Sequence, residues 1–105
     1  MRRQFINDPH DYVSEALAGY ERAHPRLVRW DRAGNFVARA DPAAAGKVGL
    51  VAGGGSGHEP LHAGYVGVGM LDAAVPGAVF SSPTAAQFEA ATRAVDTGAG
   101  VLHIL

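Results

Sequence analysis

The chain has 105 residues, enough for one domain with a modest core. Its residues are 48% apolar and 18% charged, a globular composition, and nine Lys and Arg against ten Asp and Glu give no reason to expect nucleic acid or an anionic membrane as partner. No cysteine is present, which excludes disulfides, thiolate nucleophiles and zinc–thiolate sites, and no run approaches the ~18 apolar residues of a membrane span, so a cytoplasmic protein is expected.

Asp8-Pro9 predicts a helix start, with Asp8 as N-cap, Pro9 in the first turn and Asp11 favoured by the helix dipole. Val13, Ala16, Leu17 and Tyr20 form one apolar stripe, and Pro25 closes a helix over 9–23. Residues 27–30 and 35–39 are expected as short strands joined by the turn Asp31-Arg32-Ala33-Gly34, an N-terminal hairpin. Arg29, Arg32 and Arg39 are read as a solvated face. Residues 47–52 make an apolar run without alternation, as in a parallel strand covered on both faces. The glycine loop Gly53-Gly54-Gly55-Ser56-Gly57-His58-Glu59-Pro60 follows directly. Residues 58–66 are then read as a short helix carrying Leu61 and Tyr65, and 71–75 as a further apolar segment closed by Pro76-Gly77.

Ser82-Pro83-Thr84 announces the next helix, with Thr84 and Gln87 spaced as a capping box and Phe88, Ala91, Thr92 and Val95 as its inward stripe. Gly98 and Gly100 end it, and 101–105 is read as a buried strand. The order predicts an α/β fold, a mainly parallel sheet with helices on both faces plus the short N-terminal hairpin. An apolar strand at the end of the sequence is expected to mean truncation, a split gene or a partial chain.

The glycine loop is where chemistry is expected, because open α/β sheets bind ligands beyond the carboxyl ends of their strands. Successive glycines permit positive φ and close approach to a ligand, and their N–H groups can converge on oxygen atoms. Ser56 adds a hydroxyl, and His58 a group able to move a proton near neutral pH. Glu59 either orients His58 or serves a helix N-terminus. The phosphate-loop pattern lacks its Lys, and a dinucleotide fingerprint started at Gly53 places His58 where its third glycine belongs. His58 is thus a catalytic or substrate residue, or a helix-capping histidine beside a tight turn. His58 and His62 are spaced for a metal, but no third ligand is evident and packing is preferred for His62. His103 is read as a packed core residue, and His10 and His24 as surface and helix-end residues.

The string at 53–60, followed by His62, Gly64-Tyr65, Gly67 and Gly69-Met70, resembles the signature of the dihydroxyacetone kinase K domain. Phe5-Ile6-Asn7-Asp8, Leu17-Ala18-Gly19, Ala23-His24-Pro25, Ala45-Gly46-Lys47-Val48, Pro76-Gly77 with Phe80, Ser82-Pro83-Thr84 and Gly98 to Val101 are similar to that family as well, so the likeness spans the chain. It implies that residues 1–105 are the amino-terminal, incomplete part of a K domain, the substrate-binding component of a kinase that phosphorylates dihydroxyacetone. Gly54, Gly55, Ser56, Gly57 and His58 would contact the substrate, with His58 as catalytic residue drawing the proton from its hydroxyl.

The resemblance implies no metal or cofactor on this chain. Mg-ATP, or Mg-ADP rephosphorylated by a phosphotransferase-system protein, would sit on a partner L domain or subunit, and a homodimer is expected. The family's second catalytic residue, an Asp, and the histidine that holds the ketone covalently have no counterpart in 1–105. The isolated chain is therefore expected to be inactive. A kinase for a related ketose such as erythrulose, or a non-catalytic sensor or co-regulator, are the alternatives.

Overall fold

The computed structural model describes residues 4–105. Asp8 Oδ1 accepts the His10 N–H at 2.9 Å and opens a tight first turn over Pro9–Asp11, which continues as α1, Tyr12–Ala23. Of the expected stripe, Leu17 is buried and Val13 and Tyr20 pack beside it, whereas Ala16 stays exposed. The hairpin forms from β1, Val28–Asp31, and β2, Phe36–Arg39, closed by the Gly34 N–H on Asp31 Oδ1 at 2.8 Å. Asn35 takes the left-handed position of that turn at φ 54°, as Asn tolerates.

β3 spans Gly49–Ser56, β4 Ala73–Val79, α2 Ala85–Val95 and β5 Val101–Ile104. All five strands share one sheet in the order β1-β2-β4-β3-β5. β3 runs parallel to both β4 and β5, while the hairpin continues the same sheet antiparallel through β2 and β4. Alternation along the strands divides two apolar layers. Val37, Ala52 and Ala74 face α1 with Leu17, Val66 and Leu71. Ala38, Val51, Ala73 and Val75 face α2 with Phe36, Ala91 and the flanking Phe88 and Val95. Val28, Val37, Val51 and Val75 are the largest side chains fully withdrawn from water, each contributing about 1.5–3 kcal/mol by burial. The expected capping box at the start of α2 is present: the Gln87 N–H donates to Thr84 Oγ1 at 3.2 Å and the Thr84 N–H to Gln87 Oε1 at 2.9 Å.

Several sequence-based expectations are corrected. β3 does not stop at Ala52 but carries the three glycines in extended conformation as far as Ser56. β4 likewise runs through Pro76-Gly77. Pro76 is tolerated because β4 pairs with β2 only through Ala73 and Ala74, and the Pro76 carbonyl accepts from Gln87 Nε2 at 2.9 Å. The expected helix over 58–66 is a set of turns with one short 3₁₀ stretch, Ala63–Tyr65. Pro60 has no N–H to give, and Gly57 and Gly64 are poor helix residues, so no continuous ladder forms. Leu61 and Tyr65 lie exposed.

Among the described residues β5 pairs only with β3, and Leu102, His103, Ile104 and Leu105 are exposed. Among the described residues His103 is thus exposed and not packed in a core. Its Nε2 lies 2.8 Å from Thr92 Oγ1, whose own proton goes to the Phe88 carbonyl at 2.6 Å. His103 is thus the donor in that contact.

Arg39 is the clearest correction. It is buried, 8% exposed, and its Nη1 donates to Asp72 Oδ1 at 3.0 Å. Asp72, 2% exposed, also receives Lys47 Nζ at 2.6 Å and the Leu50 N–H at 2.8 Å on Oδ2. Its own N–H donates to the Leu50 carbonyl, and its carbonyl accepts the Arg39 N–H. One residue thereby ties β2, the approach to β3 and the start of β4. Burial alone would raise the Asp72 carboxyl pKa. The hydrogen bonds from Lys47, Leu50 and Arg39, with the Lys47 charge, outweigh it and hold the carboxyl below its usual range.

Two outcomes follow for the complete chain. Asp72→Asn strands the buried Arg39 charge and lowers the unfolding free energy by about 3 kcal/mol in urea titration. Because the folded carboxyl is the stronger acid, its contribution is full above the unfolded Asp pKa of about 4 and fades as pH falls through the lower folded value. Wild-type stability therefore declines in acid more steeply than that of Asp72→Asn.

Candidate functional site

The carboxyl ends of the parallel strands β3 and β4 lie side by side, pairing Gly54 with Pro76 and Gly55 with Gly77. A register shift after Gly55 then pairs Ser56 with Val79, and the ladder ends in a tight turn in which the Phe80 N–H donates to the Ser56 carbonyl at 2.7 Å and the Ser81 N–H to Ala78 O at 3.0 Å. The 80–83 connection folds back across the ends of both strands.

That crossing explains the glycines. A Cβ on Gly55 would stand 2.7 Å from the Ser81 nitrogen, one on Gly77 would collide with the Ser81 carbonyl, and one on Gly53 would lie 2.5 Å from the Phe88 ring and 2.9 Å from the Val75 carbonyl. Gly54 meets only the His62 imidazole, at 3.1 Å. Within the run only Gly57 uses the left-handed region, at φ +108°. The expectation that the triplet supplies positive φ is thus corrected: it supplies absent side chains where backbone packs on backbone.

Ser56 is buried and its Oγ donates to the Gly77 carbonyl at 2.8 Å, so its hydroxyl is spent joining β3 to β4. The Gly57 N–H is held by the Glu59 carboxylate at 3.1 and 3.2 Å. Glu59 therefore braces the turn through backbone, in place of either role the sequence suggested for it. His58 stands exposed just past the end of β3. Its ring meets Phe80 edge to face, with centroids 5.0 Å apart and planes at 66°.

At the carboxyl end of β3, Gly54 and Gly55 remain partly accessible, Gly57 and His58 are exposed, and Ser56 is buried between them. His62 packs against Gly54 on the α1 face. Among the described residues no three His, Cys, Asp or Glu side chains converge as a metal cluster, and the His58–His62 spacing gains no third ligand. His10 is exposed, and exposed His24 meets Tyr20 edge-on at 5.4 Å. Sequence reasoning gave Phe80 and Ser81 no place beside this motif. Only the return of the chain after β4 brings them there.

Parallel strands with helices on both faces of their sheet define an α/β domain, and in open α/β sheets the carboxyl strand ends, where His58 stands, are the general place for ligands. Residues 18–105 match the Dak1 domain family, and the chain belongs to that family. It is 49% identical over 104 residues to the dihydroxyacetone-binding subunit of the PEP-dependent dihydroxyacetone kinase of Escherichia coli strain K12, covering 98% of this chain and 29% of that subunit.

Among solved structures it superposes on dihydroxyacetone kinase from C. freundii, in complex with AMP-PNP and Mg2+, with a TM-score of 0.87 and 37% identity over 100% of this chain and 20% of that one. A dihydroxyacetone kinase operon co-activator shares the fold at TM-score 0.80 and 37% identity, over 87% of this chain and 27% of its own. The chain spans less than a third of the curated bacterial relatives, which it covers at 29%, 30% and 31%. Among the described residues no helix is long and apolar enough to cross a membrane.

The glycines make a graded test. Gly77→Ala and Gly55→Ala force backbone apart and lower stability by about 1–3 kcal/mol in denaturant titration. Gly54→Ala displaces only the partly exposed His62 side chain and costs less than either.

Proposed function

We propose that this chain is the amino-terminal portion of the substrate-binding component of a dihydroxyacetone kinase. The rim Gly54, Gly55, Gly57 and His58 holds a small ketose, with Ser56 contributing through backbone and by fixing the rim. The observation that carries the reading is the exposed His58 imidazole at the ligand-facing end of β3, directly after backbone from which side chains are excluded. Family membership and the 49% identical dihydroxyacetone-binding subunit support the choice of ligand.

His58 accepts the proton of the substrate hydroxyl as that oxygen takes up a phosphoryl group. The chemistry suits imidazole, which is a competent base near neutral pH. The open rim gives the phosphoryl donor access from outside. That donor, Mg-ATP or a nucleotide recharged by a phosphotransferase-system protein, belongs to an L domain or subunit. A regulatory reading is kept because a co-activator shares this fold.

In the complete chain assayed with its nucleotide-binding partner and dihydroxyacetone, His58→Asn lowers turnover by about 10²–10⁴. Its melting temperature stays near that of the wild type, since the ring is exposed. Unchanged turnover removes His58 from the reaction; dihydroxyacetone binding without any turnover by the wild type selects the regulatory reading. Residues 1–105 alone show no tight dihydroxyacetone binding by calorimetry.

A further inference from the structure

Phe80 holds an unusual position. Its φ is 54°, in the left-handed region that disfavours any residue with a Cβ and suits Gly, Asn or Asp. A glycine would make the same turn at lower conformational cost, so the ring must repay the strain elsewhere. Among the described residues burial does not repay it, since Phe80 is 68% exposed there.

What the ring touches is specific. It lies edge to face with the His58 imidazole, and it covers Gly57 so closely that a Cβ there would stand 2.7 Å from it. Its backbone is fixed at the same place by the N–H bond to the Ser56 carbonyl at 2.7 Å. The main chain of Phe80 is thus anchored to the residue two before His58, while its side chain leans on His58 itself. An exposed imidazole on a glycine-flanked turn samples several rotamers, and an aromatic wall on one side reduces them.

We infer that Phe80 is a positioning residue for His58: the left-handed turn after β4 presents its ring as a wall that keeps the imidazole turned to the substrate rim. This rests on the role given to His58 above. Phe80 itself touches no reacting atom in this scheme. It acts through the histidine, so its effect belongs in kcat rather than in substrate affinity, where misplacement of a reacting group is felt.

The test uses the complete chain with its nucleotide-binding partner and compares Phe80→Leu, Phe80→Tyr and Phe80→Gly, each also combined with His58→Asn. Phe80→Leu lowers kcat about 10- to 100-fold with KM within twofold. In selectively labelled protein it also moves the His58 ring-proton resonances while those of His10 and His24 stay. Phe80→Tyr restores both. Phe80→Gly, which accepts φ 54° without strain, keeps the melting temperature and loses kcat as Phe80→Leu does. In the His58→Asn background none of the three lowers kcat further.

Wild-type kcat in Phe80→Leu and Phe80→Gly, beside a large loss in His58→Asn, overturns the inference and leaves the reading of His58 intact. An additive loss in the double variants overturns it also, because Phe80 would then act on its own. Wild-type kcat in His58→Asn sinks the underlying reading instead.

Discussion

The close approach of the 80–83 connection to the carboxyl ends of β3 and β4 is the constraint on which the candidate site depends. Backbone there meets backbone at distances that leave no room for a methyl group, at Gly55 and Gly77 against Ser81, while just before it Gly53 is closed off by the Phe88 ring and the Val75 carbonyl. The strands can end flush, and the turn after β4 can return over them, only because these positions lack a Cβ. The same return delivers Phe80 to His58 and bonds it to Ser56. The motif is therefore first a packing device, and the rim it leaves open is a consequence of that packing.

The opposite end of the sheet is organised by charge. Asp72 gathers Arg39, Lys47 and the Leu50 N–H where β2, β3 and β4 begin or end. Arg39 Nε stays buried without a partner, so this tie is not free of desolvation cost. A carboxylate that accepts three donors from two segments, β2 and the stretch that enters β3, specifies a single register between them, which a purely apolar contact would leave less well defined. The parallel strands thus hang between a polar anchor at one end and a side-chain-free crossing at the other.

The proposed ligand is small and polyol-like, and the proposed rim is read in that light. Its groups are backbone of a glycine run and one imidazole, not a charged cage. It offers hydrogen bonding without bulk. The membership in the Dak1 domain family fits that economy, since the chain covers less than a third of its bacterial relatives and the remaining groups for the reaction are proposed to come from outside it.

The sequence by itself determined the elements with strong local signals. Asp8-Pro9, the Thr84–Gln87 box, the hairpin turn and the apolar run into the glycines each act over a few residues, so their physics is written in neighbouring letters. It also singled out His58, because an unusual string leaves few readings. Tertiary structure alone decided the rest. Whether Gly53 to Gly55 bend or extend depends on Ser81 and Phe88, distant in sequence. Whether Arg39 is solvated depends on Asp72, and whether β5 is buried depends on what pairs with its second edge. Phe80 gained its neighbour only when the chain turned back. These are contacts between segments, and composition or periodicity along one segment carries no trace of what another will place against it.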